Sequence, residues 1–218
     1  MSNVLIVESE NDKYFIEALI KNINLDIEIG EPICTIDEYE CLGGIGKLEE
    51  RLRALTHRII KGEIDKVGII FDADKVGIEK RIIQIQEKIN LVKRDLPNGL
   101  DKVEFVIYIQ NKDGNGELET VLKEIKSKDS TVADCLGTWQ DCLPDNKKLN
   151  QKDFDKFWIQ IYQRYDCCTK KEVKQAGKKC NNKASLTKGI YDFDRDILNN
   201  LKKFLKEIGE KDDNTTSN

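Results

Sequence analysis

Three short apolar runs constrain this chain more than any other feature: residues 4–7 (VLIV), 66–71 (KVGIIF) and 103–109 (VEFVIYI). They are rich in β-branched residues and too short for buried helices, so they suit strands covered on both faces. The stretches between them carry apolar residues at helical spacing. Tyr14, Phe15, Ala18, Leu19 and Ile23 do so over residues 12–23, and Ile78, Ile82, Ile85, Ile89 and Val92 over 77–94. Another helix is expected over 48–60, behind Gly43, Gly44 and Gly46, and one begins at 117–125 after a polar loop at 111–116. A weaker strand is expected at 32–36 or 39–42. This alternation predicts an α/β fold, with a central, mostly parallel sheet flanked by helices. Ligands of such sheets sit beyond the carboxyl ends of the strands.

From about residue 130 the alternation stops, and Lys, Asp, Asn and Gln become more frequent. Trp139, Phe154, Phe157, Trp158, Tyr162 and Tyr165 recur at spacings that fit helices. We expect an α/β domain at 1–128, a C-terminal helical, Lys-rich extension packed on it at 129–209, and a disordered tail at 210–218. Within the extension, 169–183 reads as a mobile cationic loop and 197–208 as a closing amphipathic helix. The net charge of −4 hides a division: residues 146–188 hold 12 Lys+Arg against 4 Asp+Glu, a balance of +8, and the rest of the chain stands at −12. A basic stretch of this kind is either a polyanion-binding region or a solvated helical face.

No segment reaches the roughly 20 apolar residues of a membrane helix, and MSNVLIVESE lacks the basic start of a signal peptide. The expectation is a soluble, cytoplasmic protein with no membrane partner. Seven cysteines without a CxxC pair favour neither a disulfide framework nor a zinc ribbon. A zinc site from Cys167, Cys168 and Cys180 with a fourth ligand stays open. His57, among Arg and Lys on a helix, reads as a surface residue.

The chemistry lies in the acids. Asp72 and Asp74 follow the apolar run in GIIFDAD, and Glu8 and Asp12 follow the first strand one helical turn apart. On an extended backbone, residues i and i+2 point to one side. The two aspartates would then converge and repel unless a cation lay between them. Clustered carboxylates with few His or Cys suit Mg²⁺ or Mn²⁺, and two such ions can clamp both oxygens of a phosphodiester displacement. The plainer alternative is that these acids cap helices or face solvent, and Asp12 has a second possible role as helix N-cap. Gly43–Lys47 (GGIGK) lacks the first Gly and the Ser/Thr of a Walker A loop. As a Gly-rich turn at a helix start, with Lys47 beside it, it either cradles a phosphate or simply turns the chain.

LIVESENDKYFIEAL followed by GIIFDAD resembles the Toprim domain, the metal-binding, Rossmann-like fold shared by topoisomerases, primases and OLD-family nucleases. Glu8 matches its first-strand Glu, and Asp72-Ala73-Asp74 its DxD. Asp12 matches an acid that the OLD-like branch often adds. Glu119 in GNGELETVL matches a later acid at a helix start, with Glu117 as the second candidate. The closest likeness is to a Toprim-like family of small prokaryotic proteins with VEG-xx-D, a Gly-Gly segment before a Lys-Leu helix, IxDAD and a GxLE helix start. It covers residues 1–125 well and the remainder loosely, through KASLTKGIYDFDRDILNNLKKFL. Ser9 replaces the usual Gly after the first Glu, and Val76 stands where topoisomerases have a third acid. Length and the lack of a nucleophilic Tyr context exclude a topoisomerase, and the zinc-binding and helicase-interacting regions of a primase are missing.

The resemblance implies Glu8 as general base or metal ligand, Asp72 and Asp74 as catalytic metal ligands, and Asp12 and Glu119 as ligands of a second metal. Lys75, beside the DxD, would face phosphate or solvent. The leading expectation is a Mg²⁺- or Mn²⁺-dependent nuclease acting on DNA or RNA, with an ATPase partner in defence or repair. Lys170, Lys171, Lys178 and Lys179 would hold the backbone, and Trp158, Tyr162 and Tyr165 either stack bases or fill a core. The alternatives are a non-catalytic metal-, nucleotide- or protein-binding module, and phosphoryl or nucleotidyl transfer to a small molecule.

Overall fold

The computed structural model describes residues 2–33, 44–95 and 103–210. Four parallel strands run in the order β2-β1-β3-β4, with β1 at Ser2–Val7, β2 at Glu28–Ile29, β3 at Ile64–Asp72 and β4 at Glu104–Gln110. The three apolar runs form the three long strands, as their composition predicts. β2, not foreseen, pairs along the outer edge of β1 and lies ahead of the weaker strand expected at 32–36 or 39–42. Those two segments fall mostly at 34–43, outside the described residues.

Helices α1 (Glu10–Asn22), α2 (Gly44–Ile60), α3 (Ile78–Asp95) and α4 (Leu118–Glu124) connect and follow the strands. Strand alternation divides the core between the two faces of the sheet. Val4 and Ile6 of β1, with Ile69 and Phe71 of β3, pack on Leu48 and Leu52 of α2 and Ile85 and Ile89 of α3. Leu5, Val7 and Ile70 point the other way, onto Phe15 and Leu19 of α1 and onto the C-terminal helices. The latter are α5 (Thr131–Asp141), α6 (Gln151–Ile161), the short α7 (Lys170–Val173), α8 (Ala176–Lys179) and α9 (Asn182–Leu186), and α10 (Asn199–Gly209). Trp158 and Tyr162 are buried in this second cluster, so of the aromatics considered for base stacking only Tyr165 stands exposed, at 51%. Gly68 lets α10 approach closely, since a Cβ there would lie 2.5 Å from Leu5 Cδ2 and 3.1 Å from Ile208 Cδ1.

Two expectations change. Residues 169–183 are not a loop: Thr169 and Asn181 cap successive short helices with their side chains. Cys168 and Cys180 form a disulfide across this segment, which removes them from any zinc site. The two cysteines stand twelve positions apart, and that spacing carries no signature without the fold. Beyond α6 the helix widens into a π-helical turn, Tyr162–Asp166. Among the described residues no helix is long and apolar enough to cross a membrane. Residues 211–218, expected as a tail, lie outside the described residues.

Candidate active site

The register of the sheet sets the site. Val7 pairs with Ile70 and Asp72 with Gln110, so the chain leaves β1, β3 and β4 at nearly one level. There a cleft of about 240 Å³ opens, and it gathers Glu8, Asp12, Asp72, Asp74 and Glu119, all foreseen from the sequence. Glu117 lines it as well.

Glu8 is the first residue past β1. Its Oε2 is buried with no hydrogen-bond partner among the described residues. Burial, then the charges of Asp12 and Asp74, push its carboxyl from 4.5 up to about 7. The first residue of α2 packs against this carboxylate: a Cβ on Gly44 would lie 2.4 Å from Glu8 Oε1. Asp72 closes β3 and accepts a hydrogen bond from Gln110 Nε2 at 3.2 Å. Burial raises its pKa well above the carboxylate range, and the charges of Asp12 and Glu8 raise it further. Asp12 is not the N-cap of α1. Ser9 is, and Asp12 Oδ2 accepts from Ser9 N at 2.9 Å and Ser9 Oγ at 2.7 Å, a capping box that fixes Asp12 facing the cleft. Ser9 therefore has a structural role.

Asp74 departs from the expectation of two converging aspartates. The extended backbone ends at Asp72, and Asp74 takes a left-handed conformation with φ of 50°. Its N–H bonds Gly116 O at 3.1 Å, which ties the DxD turn to the loop after β4. Its two carboxylate oxygens face cations of the chain itself. Arg81 Nη2 donates to Oδ2, and Lys152 Nζ lies 3.2 Å from Oδ1. Lys152 also reaches Glu117 Oε1 at 2.7 Å, and Lys156 lies 3.7 Å from Glu117 Oε2. Burial opposes the Lys152 charge, but its bonds to Glu117 and Asp74 outweigh this and hold the ammonium protonated above the ordinary lysine range. Burial raises the Glu117 pKa in spite of its two lysines.

Both lysines come from α6, which buried Asp155 anchors. Asp155 accepts from Thr120 Oγ1 at 2.9 Å, Lys123 Nζ at 3.2 Å and Gln151 Nε2 at 2.9 Å, locking α6 onto α4. These cations were not foreseen. The available signal was a Lys152–Lys156 pair one turn apart with two acids, Asp153 and Asp155, between them, inside the basic segment. The lysines that were singled out stand elsewhere. Lys47, Lys75, Lys170, Lys171, Lys178 and Lys179 are exposed and line no part of this cleft.

Among the described residues no group of three or more His, Cys, Asp and Glu side chains is arranged to hold a metal ion. Arg81, Lys152 and Lys156 engage Asp74 and Glu117, while Asp12 serves its capping box. Glu8 and Asp72 offer hard oxygens at neighbouring strand ends, with Glu119 also lining the cleft, and Glu8 Oε2 lacks a partner among the described residues. Mg²⁺ commonly binds through one or two carboxylates, with water and substrate phosphate completing the octahedron. The pair fits that mode and not a five-acid cage. Over residues 2–210 the chain matches the family described as Protein of unknown function (DUF3226). No curated protein and no solved structure matches it.

Proposed function

The chain belongs to the DUF3226 family, and from that premise we propose that it is a divalent-metal-dependent phosphodiesterase acting on nucleic acid. One observation carries the reading: the unpartnered, buried Glu8 Oε2 beside Asp72, at the carboxyl edge of a parallel sheet, with Lys152 and Lys156 across the cleft. Two half-buried carboxyls with upward-shifted pKa values call for a cation. The facing ammonium groups, paired with Asp74 and Glu117, can exchange those acids for a phosphate. A metal-bridged phosphate meets both demands, and the resemblance to the Toprim domain supports the assignment. Mg²⁺ or Mn²⁺ held by Glu8 and Asp72 would polarise the phosphoryl oxygen and the attacking water. Lys152 and Lys156 would neutralise the remaining phosphate oxygens. Arg81 would hold Asp74 in its left-handed turn. Water adds to phosphorus, the P–O ester bond breaks, and the leaving oxygen takes up a proton. The OLD-like resemblance adds an ATPase partner in defence or repair to the proposal.

One observation favours the second reading, a binding module without turnover. Arg81 and Lys152 already neutralise Asp74, so no cation is needed there. Incubation with Mg²⁺ or Mn²⁺ and labelled single- and double-stranded DNA and RNA, beside Glu8→Gln and Asp72→Asn variants, separates the two. Cleavage by the wild type, lost in both variants, supports the enzyme. Metal binding without cleavage of any substrate favours the module. If calorimetry detects no divalent ion that the variants abolish, the metal reading fails.

A further inference from the structure

A second cavity of about 460 Å³ adjoins the acidic cleft and shares Asn11, Glu119 and Lys156 with it. Its volume falls within the roughly 300–1,000 Å³ of ordinary ligand sites, but such sites are mostly apolar. Here Ile159, Ala176 and Cys180 give apolar surface, and four carboxamides join them: Gln160, Gln163, Asn181 and Asn182. Carboxamides carry donors and acceptors side by side, the complement of a nucleobase edge. The cavity also presents Arg164, which makes no ion pair among the described residues, its guanidinium resting over the Tyr165 ring at 5.5 Å.

The two cavities are joined along α6. Lys152, Lys156, Gln160 and Arg164 follow one another at intervals of four residues. The first two line the acidic cleft, and the last three line the second cavity. At about 1.5 Å per residue the row extends roughly 18 Å. In a plain α-helix each four-residue step drifts about 40° around the axis. A π turn holds more residues per turn and takes the drift back, and the π-helical segment begins at Tyr162, between Gln160 and Arg164. Such turns are often found at functional sites. Gln163, in this turn and nearly fully buried, donates to Asn182 Oδ1 at 2.6 Å and Tyr191 Oη at 2.9 Å, which fixes the far wall. Cys180 lines the same wall and is tied by its disulfide to Cys168, just past the turn.

We propose that this second cavity receives the nucleotide next to the phosphate held in the acidic cleft, with the strand backbone tracking the α6 row from Lys152 to Arg164. The inference deepens the reading above and rests on it for the identity of the neighbouring phosphate. Gln160 would face the base edge, and Arg164 and Lys156 the adjoining phosphates.

The test measures binding of a fluorescein-labelled single-stranded oligonucleotide by anisotropy, in EDTA and across a salt series, so that no divalent ion is needed. Gln160→Ala with Arg164→Glu should weaken binding at least tenfold and flatten the salt slope by about one. Their unfolding temperature and Mn²⁺ binding should match the wild type. Arg164→Lys should recover most of the loss. Unchanged affinity and slope in the double variant overturn the proposal, as does a wild type that binds no oligonucleotide but hydrolyses bis(p-nitrophenyl) phosphate, an outcome that spares the phosphodiesterase reading. Oligonucleotide binding that tracks the α6 row in a protein without Mn²⁺ affinity sinks the metal reading and keeps this one.

Discussion

The cleft has two walls of unlike origin. One is built by the strand ends, which supply Glu8, Asp72 and Asp74 within a residue or two of regular β structure. The other is built by α6, which brings Lys152 to Asp74 across a separation of 78 residues. The strand wall holds carboxyls that burial leaves short of counter-charge. The α6 wall is already neutralised, each lysine lying against an acid. A site made this way keeps one half ready for a cation and the other half ready to exchange its internal pairs for a phosphate.

The largest expected effect tests whether α6 is held by Asp155. Asp155→Ala leaves Lys123 and Thr120 without their buried acceptor, and urea unfolding should show a loss of about 3–5 kcal/mol. Loss of less than about 1 kcal/mol would mean that apolar packing of Trp158 and Ile159 alone docks the helix.

The next effect tests the strand wall. A carboxyl with a folded pKa above its unfolded value binds its proton more tightly in the native state. Its stabilisation is therefore complete below about pH 4.5 and is lost as pH rises through about 7. The shift at Glu8, shared with its coupled neighbours, corresponds to about 3 kcal/mol at 1.36 kcal/mol per unit. Metal-free protein should thus lose stability between pH 5 and 8, and Mn²⁺ should restore it at the upper end. Flat stability over that range, with or without Mn²⁺, would break the contrast between the walls.

Lys152→Ala should weaken oligonucleotide binding about tenfold, or about 1.4 kcal/mol, with a change in unfolding free energy below about 1 kcal/mol, because the lysine is 43% exposed. Equal losses of stability and binding would reduce Lys152 to a structural pair. The smallest effect is expected outside the cleft: Lys47→Ala and Lys75→Ala should leave stability within about 0.5 kcal/mol and oligonucleotide affinity unchanged. Charge reversal at Lys170, Lys171, Lys178 and Lys179 should cost less affinity than Lys152→Ala alone. A larger loss at these exposed lysines would move the nucleic-acid surface away from α6.

The legibility of the two walls differs for the same reason as their construction. Residues 4–7, 66–71 and 103–109 could be assigned because strand formation and burial on both faces write themselves into a local run of β-branched residues. Glu8 and Asp72 followed, being fixed to the ends of those strands. Asp74 was legible as a site residue but not in its conformation, since a left-handed φ and a bond to Gly116 leave no mark on DAD. Lys152 and Lys156 were hidden among the Lys and Arg of 146–188. Composition located the basic segment but ranked its more conspicuous Lys pairs at 170–171 and 178–179 above them.

By itself the sequence determined the parallel α/β sheet, its two apolar faces and the acids at its carboxyl edge. These depend on backbone periodicity and on side chains adjacent to it. The tertiary structure decided which cations meet those acids, that Cys168 and Cys180 join, and that a π turn keeps Arg164 in the α6 row. Each of these depends on where a distant helix docks, and that is set by the packing of Trp158, Ile159 and Asp155 against elements far away in the chain.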